Sequence, residues 1–146
     1  MDDRTVEGQV WQRVRAGAEE TAKSDLRQLQ REAMELAAVY RNLVAQLTGR
    51  QQEQARRLYL GEKANAHAIA GVGCLSWDEE EPIKIWQPAR DNPGKILERC
   101  YHRTRRCVTE YLARSAEGEY GVVFKALAAR EEEHCARIAE LLGSLG

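Results

Sequence analysis

Glu131 and His134 stand three residues apart in a stretch whose apolar residues recur at helical spacing. Val123, Phe124, Leu127, Ile138, Leu141 and Leu145 mark the same stripe, so the pattern predicts that both polar side chains face a core. Residues three apart share one helix face. Burying a carboxylate and an imidazole without partners costs several kcal/mol. They therefore need each other, further polar groups or a metal ion, and Glu-x-x-His on an inward helix face is a spacing with which helical bundles hold metal.

A second pair has the same spacing. Glu62 and Asn65 lie on the stripe Ala55, Leu58, Tyr59, Glu62, Asn65, Ala66, Ile69, Val72. The candidate metal ligands are thus Glu62, Glu131 and His134. Two carboxylates and one imidazole could hold a single divalent ion with open positions. The same groups with Asn65 could instead form a metal-free hydrogen-bonded network, one carboxyl kept protonated by burial. A full two-ion centre needs about four carboxylates. Glu32 and Glu35 are expected at a helix edge, and Glu98 would serve only if its helix shifted by more than a turn. Arg103 is placed to neutralise Glu62 or Glu131 where a cation is missing. His67 reads as a surface residue, and His102 beside Tyr101 as a weaker ligand candidate. Cys74, Cys100, Cys107 and Cys135 form no C-x-x-C pair and read as reduced core thiols rather than a zinc site.

The elements that would position these groups are helices. The 146 residues suit one domain, 1–146, rich in Ala, Leu, Glu and Arg with only three prolines. Val6, Val10, Trp11 and Val14 predict a short amphipathic helix over about residues 5–16, ending near Gly17. A long helix follows with the stripe Leu26, Leu29, Ala33, Leu36, Ala37, Tyr40, Leu43, Val44, Leu47, ended by Thr48-Gly49. The helix of Glu62 comes next. Residues about 74–93 hold all three prolines, an acidic run, Trp77 and Trp86, the one long irregular stretch. Asn92-Pro93 opens another helix with the stripe Leu97, Cys100, Tyr101, Thr104, Cys107, Val108, Tyr111, Leu112. The last long helix carries Glu131 and His134. Short turns make each consecutive long pair an antiparallel hairpin. The middle stretch of about 20 residues reaches roughly 60 Å extended, more than the roughly 37 Å length of a 25-residue helix. The expected fold is an all-α antiparallel four-helix bundle with one long crossover and a short extra N-terminal helix.

The two hairpins repeat one pattern. Ala33-(x)6-Tyr40, a turn and Glu62-x-x-Asn65 match Thr104-(x)6-Tyr111, a turn and Glu131-x-x-His134. With the stretches EAMELAAVYRNL, YLGEKANAHAI and VVFKALAAREEEHCARI, the chain over about 24–142 resembles the rubrerythrin branch of the ferritin-like superfamily. The resemblance implies a ferritin-like bundle, two bound iron or manganese ions, and peroxide or dioxygen chemistry. In that family each half supplies a glutamate before the tyrosine and then Glu-x-x-His. Here Glu62, Glu131 and His134 match, Asn65 replaces the second histidine, and Ala33 and Thr104 replace the helix-one and helix-three glutamates. No rubredoxin-like cysteine module accompanies them.

A formal charge of -1, with both signs interspersed, gives no field for nucleic acid. No signal-like stretch and no apolar run of about 20 residues is seen, so a cytoplasmic protein without a membrane partner is expected. Trp77 and Trp86 could plug the bundle's side or form a partner surface. The leading expectation is a structural or interaction module, homodimeric, with a degraded carboxylate site. The alternative is a small iron- or manganese-binding oxidoreductase or storage protein.

Overall fold

The computed structural model describes the backbone of residues 3–73, 92–116 and 118–145, with side chains from residue 25 onward. It contains four helices, α1 (Asp3–Gln46), α2 (Gly49–Gly73), α3 (Pro93–Ser115) and α4 (Gly121–Leu145), and no strand among the described residues. The separate helix expected over about 5–16 is instead continuous with α1, which runs through Gly17 without a break. The physical reason is local. One mid-helix glycine costs about 1 kcal/mol relative to alanine, and Arg15, Ala16, Ala18, Glu19 and Glu20 around it favour helix. How Val6, Val10, Trp11 and Val14 pack lies outside the described side chains. So do the crossover at 74–91, Trp77, Trp86 and Cys74.

The boundaries near the site follow their sequence signals. Gly49 adopts φ +60°, a left-handed conformation that glycine takes without a Cβ penalty. The Gln52 side chain donates across this turn to the Val44 carbonyl at 2.9 Å, satisfying an end group of α1. Asn92 caps α3, its side chain accepting from the Lys95 N–H at 2.9 Å, and Pro93 occupies the first turn. Gly118, at φ +73°, turns the chain from α3 toward α4.

Pairwise contacts set the directions. Gln51 meets Ser144, Gln54 meets Arg137 and Asn65 meets Glu131, so α2 and α4 are antiparallel. Asp25 meets Arg114 and Glu35 meets Arg103, so α1 and α3 are antiparallel as well. With the hairpins α1–α2 and α3–α4, every neighbouring pair runs in opposite senses. The diagonal helices α2 and α3 therefore point the same way. Gly73 and Asn92 consequently lie at opposite ends of the bundle, the arrangement that requires a long connection between them.

The core is one cluster built from all four stripes, with Leu36, Tyr40, Leu43, Leu58, Ile69, Ile96, Leu97, Tyr111, Ile138 and Leu141 fully enclosed. Leu112 departs from the expected stripe of α3 and is 47 % exposed. Tyr111 and Val108 already fill that side of α3, and Leu112 rotates to the rim. Ile96, Ala70, Ala128 and Cys135 are buried too, which widens three of the helix faces beyond a single stripe.

Candidate metal centre

Glu62 sits midway along α2 and Glu131 near the middle of α4, and both are completely enclosed. His134 is 4 % exposed, and Asn65 is fully buried. The antiparallel packing of α2 on α4 brings the two Glu-x-x-polar pairs face to face across the bundle. His134 Nδ1 lies 2.9 Å from Glu62 Oε1 and 3.0 Å from Glu131 Oε1. The Asn65 amide nitrogen donates to the same Glu131 Oε1 at 2.7 Å. The three expected ligands are thus brought together, each offering a ligand atom within 4.8 Å of the others.

The remaining candidates are elsewhere. Ala33 and Thr104 are buried at the matching positions of α1 and α3, where neither offers a carboxylate. Thr104 Oγ1 is 3.5 Å from the Tyr40 hydroxyl, a partner on the opposite hairpin. Glu32 and Glu35 are half-buried at the α1–α3 boundary. Arg103 does not reach Glu62 or Glu131. Its guanidinium donates to Glu35 Oε2 at 2.7 Å, because its position beside Thr104 directs it along the α1–α3 groove. Burial, then the Glu110 charge, raises the Glu32 carboxyl above its ordinary range. Glu98, His67 and His102 are exposed on the outside of the bundle, with the His102 ring edge-on to Tyr101. Cys100, Cys107 and Cys135 are buried free thiols, and burial pushes the Cys100 thiol up to about 12. None of them joins the acidic cluster.

Two residues that positioning depends on carry only faint sequence signals. Gly61 lies against the imidazole: a Cβ at this position would run into Nε2 and Cε1 of His134. A glycine in mid-helix, next to a buried glutamate, is the signal that a neighbour approaches the backbone closely. Arg130 comes from α4, and its Nη1 donates to Asn65 Oδ1 at 2.9 Å across to α2. Sequence spacing gives no hint of it, since an arginine one residue before Glu131 starts on another helix face.

The electrostatics follow from enclosure. Burial, then the Glu131 charge, pushes the Glu62 carboxyl well above the usual range, while the hydrogen bond with His134 pulls it partly back. Burial works against a charged His134. Its hydrogen bonds to Glu131 and Glu62, together with the two carboxylate charges, outweigh that and raise it to about 9. At neutral pH the metal-free cluster therefore holds a proton on His134, and enclosure beside Glu131 disfavours the ionised form of Glu62.

Both carboxyls leave one oxygen unserved. Glu62 Oε2 and Glu131 Oε2 are buried and have no hydrogen-bond partner. A stranded buried acceptor costs about 1–3 kcal/mol, more when charged. The donor set fits one divalent ion in charge, with two carboxylates and a neutral imidazole. It does not fit two, for which about four carboxylates are needed.

No protein-family model, curated protein or solved structure matches the chain. The functional reading therefore rests on the cluster itself. Among the described residues, no helix is long and apolar enough to cross a membrane.

Proposed function

We propose that this chain is a ferritin-like metal-binding bundle, related to rubrerythrins, whose centre is reduced to one divalent iron or manganese ion held by Glu62, Glu131 and His134. The observation that carries the reading is the pair of buried, partnerless oxygens, Glu62 Oε2 and Glu131 Oε2, beside an imidazole nitrogen. A bound iron or manganese ion would supply one-electron chemistry toward dioxygen or peroxide. The chain's own residues supply the rest: two carboxylates for charge, Nδ1 for a nitrogen ligand, and an enclosed seam that limits access of water. Because His134 holds a proton in the metal-free state, an ion bound at Nδ1 displaces it, and affinity rises as pH climbs toward about 9.

Elemental analysis of the purified full chain tests this, with Mn2+ titration of chelator-stripped protein. About one ion per chain is expected, and Glu131→Gln should abolish uptake while the helical far-UV spectrum persists. Sub-stoichiometric metal, with a melting temperature indifferent to both chelator and Mn2+, would overturn it.

A second reading has its own support. Asn65 and His134 already give Glu62 and Glu131 protein partners at Oε1, and Arg130 in turn donates to Asn65. On that reading the bundle is a metal-free structural or interaction module held together by this network, working as a homodimer or through the Trp-bearing crossover. Indifference to Mn2+ with strong destabilisation by Glu131→Gln selects it.

A further inference from the structure

The internal repeat places Asn65 where the other half has His134, and the structure shows what fixes the replacement. An arginine can only donate hydrogen bonds. With Arg130 Nη1 2.9 Å from Asn65 Oδ1, the amide oxygen must face Arg130. Its NH2 must then face Glu131, where it donates to Oε1 at 2.7 Å. The chemistry of the donor settles the amide's orientation. Reversed, the amide would turn its oxygen on a carboxylate oxygen and its NH2 on a guanidinium, two repulsive contacts in a buried place.

The consequence falls on Glu131. Its Oε1 is occupied by Asn65 and His134, and only Oε2 is left without a partner. Glu62 is treated the same way by His134 alone, with Oε1 taken and Oε2 spare. In the metal-free state both carboxyl groups are thus held by one oxygen and present the other; once Nδ1 is a ligand, Asn65 alone still holds Glu131 Oε1. On the Glu131 side, the hold extends to Arg130, an exposed residue whose guanidinium reaches in to the buried Asn65 amide.

We propose that Arg130 is a positioning residue for the centre. It locks the Asn65 amide against Glu131, reserving Glu131 Oε2 for a single ion and filling the place where the repeat would otherwise put a second nitrogen ligand. This rests on the metal reading above. It adds a residue that touches no ion and acts only through Asn65. Outer partners of this kind change metal affinity by about 10–100-fold when removed.

The test is a double-mutant cycle on the full chain, with Mn2+ affinity read by calorimetry for wild type, Arg130→Gln, Asn65→Leu and the double variant. Arg130→Gln should weaken Mn2+ binding about 10–100-fold, and the double variant should bind no more weakly than Asn65→Leu alone. An Arg130→Gln protein that binds like wild type, or losses that multiply in the double variant, would overturn the proposal. A second readout needs no metal. In metal-free wild type the Asn65 side-chain NH2 should give a slowly exchanging NMR signal that Arg130→Gln makes fast. If wild type takes up no Mn2+, the metal reading fails, and the reservation of Oε2 for an ion fails with it. The amide signal then judges the lock alone, which fails too if that signal is the same in both proteins.

Discussion

At the scale of single residues, the cluster behaves as a set of obligations. His134 is held by two carboxylates on one side and by the bare backbone of Gly61 on the other. The ring cannot retreat from an added methyl group without breaking its bonds to Glu62 and Glu131. Gly61→Ala should therefore destabilise the protein by about 1–3 kcal/mol, an overpacking effect, and weaken metal uptake, as urea unfolding and Mn2+ titration would show. The pH dependence of the metal-free protein has a definite sign. His134 is raised from its ordinary value near 6.5 to about 9, so its contribution is complete below pH 6.5 and is lost as pH climbs through 9. Glu62, also raised, loses its contribution in the same direction. The urea midpoint should fall between pH 6.5 and 9, and His134→Gln should flatten that fall. A midpoint that rises over this window contradicts the assignment. Thiols offer an independent check. Cys100 is enclosed and pushed up to about 12, and Cys107 is raised by the same burial. Peptide mapping after brief alkylation at pH 8 should find both unmodified in folded protein and both modified in urea.

At the scale of elements, most of the arrangement was legible in the sequence. Asn92-Pro93 opens a helix because proline suits the first turn, and the structure adds a cap bond from Asn92. Replacing Asn92 by alanine should cost about 1 kcal/mol, measurable in the same urea titrations. Thr48-Gly49 marked a hairpin because left-handed backbone calls for glycine, and Gly49 takes it. Glu62, Asn65, Glu131 and His134 were readable as inward-facing because a polar residue amid Leu, Ile and Ala at helical spacing has nowhere else to point. Three things were not legible. Gly17 resembled a terminator, yet continuity across it is decided by neighbours with strong helix preference, whose sum outweighs one weak residue. Leu112 obeyed the period of its stripe, but the width of the buried face is a property of the partner helices. Arg130 and Arg103 have long side chains, and which carboxylate or amide each reaches depends on the distance between helix axes, which no spacing rule contains.

At the scale of the whole molecule, the proposed metal site would couple folding to ion binding through the contact between α2 and α4. The ligands come from both hairpins, Glu62 from one and Glu131 with His134 from the other. An ion bound between them joins the halves of the bundle and favours the folded state. At an Mn2+ concentration 100 times the dissociation constant, stabilisation of about 2.7 kcal/mol is expected, a rise of about 5–11 °C in melting temperature for a domain of this size. A scan showing no rise in wild type at saturating Mn2+ would contradict joint ligation. A core substitution away from the ligands provides the contrast. Leu36→Ala, within the enclosed cluster, should cost about 2–5 kcal/mol, and its shift with Mn2+ should equal that of wild type.

The opposed senses of all four neighbouring helix pairs have one more outcome. Peptide dipoles sum to about half a charge at each helix end and act mainly within the terminal turn. Glu62 and Glu131 lie well inside α2 and α4, and the adjacent antiparallel axes oppose one another's fields. The backbone therefore supplies almost no bias where the acidic groups meet. The potential there is written by a handful of side chains, and exchanging any of them rewrites it directly.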